Sequence, residues 1–159
     1  MLLDRLPELN QGDRAGGIAL RTEVSAVHVA NALHHEPGFV WLDGDGEGHT
    51  LFAIDPVAIL TADGFSTTLH HDAEQSPLPV DAFGAVEALL SVMPKGTRLF
   101  GFLGYELAAL LEELPCFPPA EAAVPDLHLG VYDTWLEGCG EQWRLIGAAG
   151  ADRLELLQE

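Results

Sequence analysis

Two pairs of adjacent histidines, His34-His35 and His70-His71, are the residues whose type most suggests metal binding. Imidazole nitrogens are frequent ligands of zinc and related ions. Adjacent side chains point to opposite faces of a strand and lie about 100° apart around a helix, so neither pair can bind one ion in the usual geometry. A shared site would need one histidine from each pair, and nothing in the sequence positions the two pairs together. We therefore expect no metal site in this chain.

The acidic run Asp43-Gly44-Asp45-Gly46-Glu47-Gly48 resembles the start of a calcium-binding loop, because its acids alternate with glycines. The rest of such a loop is missing. Its eighth position would be Thr50 where an aliphatic residue is usual, and its twelfth would be Ile54 where a bidentate glutamate is needed. The run is more typical of a solvated turn between two strands.

Residues for nucleophilic catalysis are also missing. The sequence has no Gly-x-Ser-x-Gly elbow, and Cys116 lies between two apolar neighbours without an obvious base. Cys116 and Cys139 are too few for a disulfide framework, so free thiols are expected. The segment Gly101-Phe-Leu-Gly104 lacks the spacing of a dinucleotide or phosphate-binding loop. We therefore expect no catalytic residue in this chain.

Charge excludes further classes of function. The chain has 25 acidic residues against seven lysines and arginines, which gives a formal net charge of −18. Nucleic-acid binding needs clustered cations, since counterion release supplies most of the affinity, and the few cations here are scattered. The same negative field opposes anionic lipid surfaces and anionic metabolites. Neither a nucleic acid nor a membrane is expected as a partner.

Length and composition predict one domain. The 159 residues are 48% apolar and 20% charged, which is typical of a globular protein with a real core. The sequence has no apolar run of about 18 residues that could span a membrane. The first residues lack the pattern of a secretory signal. We therefore expect a cytoplasmic protein.

Three segments have the apolar spacing of helices. The first begins at 22–25 and ends at Pro37-Gly38, the second is capped by Asp81 and ends at Pro94, and the third spans Tyr105 to Leu114. The predicted buried stripes are Val24, Val27, Ala30 or Asn31, and Leu33 in the first segment; Phe83, Val86, Leu89, Leu90 and Met93 in the second; and Leu107, Leu110, Leu111 and Leu114 in the third.

Short β-type runs separate these segments, and the Ala62-Asp63-Gly64-Phe65 segment predicts a tight hairpin turn. The segment Ser76-Pro77-Leu78-Pro79 is predicted to be a loop. The predicted strands are 39–42, 50–54, 57–61, 65–70, 98–104, 126–136, 143–147 and 153–157. Because strands and helices interleave without a βαβ rhythm, we predict an α+β fold with a largely antiparallel sheet and packed helices.

Three stretches together resemble the N-terminal domain shared by anthranilate synthase component I and aminodeoxychorismate synthase component I. The first is Gly101-Phe-Leu-Gly-Tyr-Glu-Leu-Ala-Ala-Leu-Leu-Glu-Glu-Leu-Pro115, which is similar to the family's glycine-rich strand and following helix. The second is Val124-Pro-Asp-Leu-His-Leu-Gly-Val-Tyr-Asp133. The third is Phe39-Val-Trp-Leu-Asp-Gly44 followed by Leu51-Phe-Ala-Ile-Asp-Pro-Val-Ala-Ile-Leu60.

The resemblance implies half of the sandwich fold of the chorismate-utilising synthases, with residues 1–159 as a single N-terminal domain. Full-length members aminate chorismate with ammonia from a glutamine amidotransferase subunit and use Mg²⁺. Their chorismate and magnesium residues belong to a C-terminal domain, which this sequence does not include. The resemblance therefore implies that this chain is inactive alone, binds no cofactor, and packs against the C-terminal domain. An apolar surface exposed without that domain would favour self-association.

The family's N-terminal domain also helps to form a tryptophan pocket, whose strand carries Leu-Leu-Glu-Ser in anthranilate synthases. The matching positions here are Trp41, Leu42, Asp43 and Gly44. Glycine replaces the serine, so a hydroxyl for the ligand's polar end is missing. A second departure is Glu137-Gly138-Cys139-Gly140, where the family commonly has an aliphatic run. The missing serine favours the folate enzyme, aminodeoxychorismate synthase component I. The alternatives are anthranilate synthase component I, an isochorismate- or salicylate-type relative, and a stand-alone acidic interaction module.

Overall fold

The computed structural model describes residues 18–20, 24–44, 49–93, 95–114, 124–140 and 142–147. The chain divides into two compact units. Among the described residues, unit 1 comprises Val57–Met93 and Leu99–Val131, and unit 2 comprises the residues before Val57, residues 95–98 and those from Tyr132 onward. Each unit has its own cluster of buried apolar side chains. The expectation that residues 1–159 form a single domain stays a prediction.

The described residues form two α-helices, a short 3₁₀ helix and ten strands. The helices are α1 (Ala26–Leu33), α2 (Ala82–Val92) and the 3₁₀ helix Tyr105–Leu110. The strands are β1 (Ile18–Leu20), β2 (Val40–Asp43), β3 (His49–Ala53), β4 (Ala58–Asp63), β5 (Ser66–His71), β6 (Glu74–Leu78), β7 (Arg98–Leu103), β8 (Leu127–Tyr132), β9 (Thr134–Cys139) and β10 (Gln142–Gly147). Among the described residues, no helix is long and apolar enough to cross a membrane.

Unit 2 contains a five-stranded sheet in the order β1-β10-β9-β3-β2, and helix α1 packs on one of its faces. Ser25 caps the helix by accepting a hydrogen bond from the backbone N–H of His28. The buried side of α1 contacts Phe52, Leu136 and Trp143 of the sheet. Trp143 is fully buried, and its indole N–H donates to the carbonyl of Val24 at 2.8 Å, so its polar atom is satisfied inside the core.

Unit 1 contains a second five-stranded sheet, in the order β6-β5-β4-β8-β7, which helix α2 covers on one face. The carboxylate of Asp81 caps α2 by accepting from the backbone N–H of Gly84 at 2.8 Å. The core between helix and sheet is formed by alternate residues of the strands, including Leu60, Leu69 and Leu127.

The predicted α+β class with largely antiparallel pairing is confirmed. The predicted hairpin is also confirmed, and its turn residues are Gly64 and Phe65, because Asp63 pairs with Ser66. Glycine at the first turn position has a φ of +56°, as such tight hairpin turns require. Asp81 caps the second helix as predicted.

The long strand predicted at 126–136 is wrong. The chain forms two strands there, β8 and β9, which end and begin on either side of Asp133 and belong to different sheets. Nearly every residue from Leu129 to Leu136 is buried, so the sequence lacks the alternation that would have revealed the break. The predicted strand 153–157 lies outside the described residues.

Two further predictions were wrong. The segment Ser76–Leu78, expected in a loop, belongs to strand β6, which pairs with β5 at the edge of the unit 1 sheet. A proline is tolerated at an edge, where its missing N–H costs no ladder bond. The third helix is a short 3₁₀ helix that ends at Leu110. Of the predicted helical stripes, Val27, Leu90 and Leu111 are exposed.

Strand β7 approaches strand β8 so closely that no side chain fits at Gly101. A Cβ atom added there would lie 1.9 Å from the carbonyl oxygen of His128, and the residue has a φ of +154°. Directly after the end of β7, the backbone N–H of Gly104 donates a hydrogen bond to the backbone carbonyl of Asp126. The glycine-rich stretch and the Pro-Asp stretch are therefore in direct backbone contact.

The Tyr132 side chain connects the second stretch with Gly38, the residue directly before the third stretch. Its hydroxyl donates to the carbonyl of Gly38 at 2.6 Å, and the backbone N–H of Asp55 donates to the carbonyl of Pro37 at 2.8 Å. Burial, and secondly the negative charge of Asp55, raise the pKa of the Tyr132 phenol to about 12. The residues that carry the family resemblance thus have structural roles.

We expect the substitution Gly101→Ala to lower the free energy of unfolding by about 3 kcal/mol or more, because it adds a backbone collision to an unfavourable φ. The matched control is Gly140→Ala, which has a φ of +62° but open space around the added methyl group, so it should cost about 1 kcal/mol. Urea denaturation of both variants measures the difference. Equal costs would show that the approach of β7 to β8 is not close.

The raised pKa of Tyr132 predicts a loss of stability at alkaline pH. The unfolded chain loses the phenolic proton near pH 10 and the folded chain near pH 12, so the folded state binds more protons between these values. The free energy of unfolding should fall by about 1.4 kcal/mol per pH unit across this window. The substitution Tyr132→Phe should abolish this slope. The difference between the ultraviolet titration curves of the natural protein and the variant should show one phenol with a pKa of about 12. A midpoint near 10 would contradict the burial of this hydroxyl.

Candidate functional site

Strand β2 carries three of the four positions that the resemblance assigns to a tryptophan pocket, and Gly44 directly follows it. The strand lies at the edge of the unit 2 sheet. Trp41 pairs with Phe52, Leu42 with Leu51, and Asp43 with Thr50. Because successive side chains alternate, Trp41 and Asp43 share the face that helix α1 covers, whereas Leu42 lies on the opposite face. The strand therefore separates the four positions into two groups.

An open cleft of about 260 Å³ brings two of these positions together. Leu42 and Gly44 line it from strand β2 and the residue that follows, and the other lining residues are His49, Thr50, Leu51, Glu137 and Gly138. These residues come from three neighbouring strands, β2, β3 and β9. Pockets for drug-sized ligands usually exceed about 300 Å³, so this cleft suits a small molecule or one group of a larger one.

Trp41 has a structural role on the other face. Its ring packs on Phe52 with 5.5 Å between the centroids, and its indole N–H donates to the hydroxyl of Thr50 at 3.0 Å. That hydroxyl in turn donates to the carbonyl of Leu42 at 3.2 Å. The Trp41 side chain thus holds β2 against β3 and does not line the cleft.

Gly44 lies against the backbone of the neighbouring strand. A Cβ atom added at this position would be 2.0 Å from the carbonyl oxygen of His49, which is far inside van der Waals contact. A serine side chain therefore does not fit here unless the backbone moves. This strand pairing therefore requires glycine at position 44, where the anthranilate synthase motif has serine.

One rim of the cleft is charged. Glu137 accepts a hydrogen bond from the indole N–H of Trp135 at 2.8 Å, and the Arg98 guanidinium lies 3.8 Å from the same carboxylate oxygen. Arg98 also covers the Trp135 ring, 4.8 Å from its centroid. The arginine and the glutamate therefore contact each other and the indole ring.

The His70-His71 pair is placed as the alternation rule predicts. His70 faces Thr61, with 2.9 Å between its Nε2 and the threonine hydroxyl, whereas His71 contacts Asp72 on the other side of the strand. His34 and His35, in the turn after α1, do not diverge, because their ring centroids lie 3.6 Å apart with the ring planes tilted by 42°. Across the described part of the chain, no three His, Cys, Asp or Glu side chains are grouped closely enough to hold a metal ion. Cys116 and residues 45–48 lie outside that part.

Sequence reasoning missed the contribution of Glu137, Trp135 and Arg98. The alternation along β9 could have placed Trp135 and Glu137 on one face. No local signal connects Arg98 with them, because it is distant in sequence and reaches the rim from strand β7.

We expect that restoring the family's serine by Gly44→Ser does not create a tryptophan site. The collision with His49 should lower the free energy of unfolding by about 1–3 kcal/mol, and calorimetry should show no micromolar tryptophan binding in either the variant or the natural sequence. The control is Leu42→Ala, which enlarges the cleft without a collision. Micromolar binding to the natural sequence that Leu42→Ala abolishes would overturn this expectation and favour the anthranilate branch.

A scan of the sequence against protein-family models finds no match, and a search of curated proteins finds no match either.

Proposed function

We propose that this chain is the N-terminal, non-catalytic domain of aminodeoxychorismate synthase component I, which aminates chorismate to 4-amino-4-deoxychorismate for p-aminobenzoate and folate synthesis. In this proposal the domain is a scaffold for a C-terminal chorismate-binding domain. A glutamine amidotransferase subunit supplies ammonia to the complex, which acts in the cytoplasm. The proposal rests on the resemblance of three stretches and on the contacts among them.

The observation that carries the proposal is the contact between the stretches. Gly101 and Gly104 lie against the backbone of His128 and Asp126, and Tyr132 binds the carbonyl of Gly38. Only glycine fits at position 101, and the buried hydroxyl of Tyr132 needs an acceptor, so both residues have a physical reason to be present. These contacts support the proposal, because they give the three stretches structural roles in this chain.

The charges of the chain agree with a scaffold role. Chorismate is an anion, and its cationic contacts must come from outside a chain whose net charge is −18. Magnesium is implied for the C-terminal domain, and the described residues of this chain offer no group of three acidic or histidine ligands for it. No step of the reaction is assigned to this chain.

The cleft supports the folate branch over the tryptophan branch. Gly44, where the chain departs from the anthranilate synthase pattern, lines this cleft together with Glu137 and Gly138. A carboxylate at its rim disfavours the carboxylate of a free amino acid, and Arg98 is already engaged by Glu137. Loss of one buried hydrogen-bond partner costs about 1–3 kcal/mol, or roughly a ten- to hundredfold in affinity.

The second candidate function is a stand-alone acidic interaction module, which the strong negative charge favours. The two functions differ in what the complete reading frame encodes. Continuation into a chorismate-binding domain supports the synthase, and its absence supports the module.

We expect the isolated chain to form no product from chorismate, with or without Mg²⁺ and ammonia. The protein encoded by the complete reading frame should form aminodeoxychorismate under the same conditions, and chromatography separates this product from anthranilate. Product formation by the isolated chain would contradict the assignment of the chemistry to the C-terminal domain. Formation of anthranilate by the complete protein would contradict the assignment to folate synthesis and support the assignment to tryptophan synthesis.

A further inference from the structure

Asp126 connects three segments at one end of the unit 1 sheet. Its carboxylate accepts a hydrogen bond from the backbone N–H of Gly64 at 2.7 Å, in the turn between β4 and β5. Its backbone carbonyl accepts from the N–H of Gly104, directly after β7. Since β8 begins at Leu127, one residue fixes the β4–β5 turn, the end of β7 and the start of β8 side by side.

Large apolar side chains at this end of the sheet are exposed. Phe65 is 83% exposed, Leu103 57%, Tyr105 72% and Val124 58%. Each lies within two residues of Gly64, Gly104 or Asp126, the three residues joined by the hydrogen bonds above. We call these four residues the Asp126 surface. Single exposed apolar residues are ordinary, but four of them beside segments that hydrogen bonds hold at one end of a sheet are a candidate interaction site.

Acidic side chains surround these apolar residues. Asp63 precedes the turn that carries Phe65, Glu106 follows Tyr105, and both acids are exposed. The described residues of unit 1 include neither a lysine nor an arginine, and their acids are Asp63, Asp72, Glu74, Asp81, Glu87, Glu106, Glu112, Glu113 and Asp126. The electrostatic potential at the Asp126 surface is therefore negative.

We propose that the Asp126 surface docks a protein partner whose contacting side chains are apolar and are flanked by lysine or arginine. The apolar residues supply buried area, and the surrounding carboxylates select a basic partner and speed its association. A second copy of this chain is disfavoured, because each copy has a net charge of −18. Anionic lipids and nucleic acids are repelled in the same way. The inference does not depend on the proposed function.

The probe for this inference is a synthetic helical peptide that has leucines on one face, flanked by lysines. A matched peptide with glutamates in place of the lysines tests the charge term. Fluorescence anisotropy should show saturable binding of the lysine peptide, weakening as ionic strength rises, and no binding of the glutamate peptide. Chemical-shift changes of the labelled protein should cluster at residues 63–65, 103–106 and 124–126.

Substitutions distinguish the Asp126 surface from general attraction to an acidic protein. The double variant Phe65→Ser/Tyr105→Ser should weaken binding of the lysine peptide by about tenfold or more, as for central residues of an interface. The control is Val27→Ser/Leu90→Ser, which removes two other exposed apolar side chains, 58% and 57% exposed, from other places and should leave binding unchanged. Circular dichroism verifies that both variants are folded.

Several outcomes would overturn the inference. These are equal binding by both double variants, equal binding of both peptides, no binding of the lysine peptide, and concentration-dependent dimerisation that the Phe65→Ser/Tyr105→Ser variant abolishes. The last result would identify a second copy as the occupant. A further variant, Glu106→Gln, should weaken binding by a smaller factor and reduce the salt dependence, while Glu87→Gln should change neither.

Discussion

The close approach of strands β7 and β8 is the constraint on which most of unit 1 depends. At Gly101 the neighbouring carbonyl occupies the space of a side chain, so the two strands can pair only when this residue is glycine. This pairing brings Gly104 to Asp126, and Asp126 then holds the β4–β5 turn through its carboxylate. One steric condition thus fixes the edge of the sheet, the 3₁₀ helix that follows β7, and the exposed surface at that end.

In unit 2 the corresponding constraint is the edge pairing of β2 with β3. The hydrogen bonds of Trp41 and Thr50 hold these strands together on one face, and the cleft lies on the other. Gly44 is part of the same pairing, because its neighbour His49 leaves no room for a side chain. The pairing of β2 with β3 shapes the cleft, and the same pairing excludes a serine side chain at Gly44.

Charge gives the molecule a second level of organisation. The cation described near the cleft, Arg98, is neutralised by Glu137 and covers an indole ring. Unit 1 has acids and, among its described residues, neither lysine nor arginine. A net negative charge of this size opposes the approach of anionic ligands, and the partner proposed for the Asp126 surface has the opposite charge. A scaffold role beside a domain that binds an anion is compatible with this distribution.

The sequence alone determined the features that depend on neighbours along the chain. These are the α+β class, the Asp81 cap, the hairpin at Gly64 and most strands, because caps, turns and alternation act over a few residues. Tertiary structure decided the rest. It divided the buried run around Asp133 between two sheets, placed Ser76–Leu78 at a sheet edge, and left Leu111 exposed. It also joined Arg98 to Glu137 and put a carbonyl beside Gly44. Such contacts depend on strand register between distant segments, which local patterns do not encode.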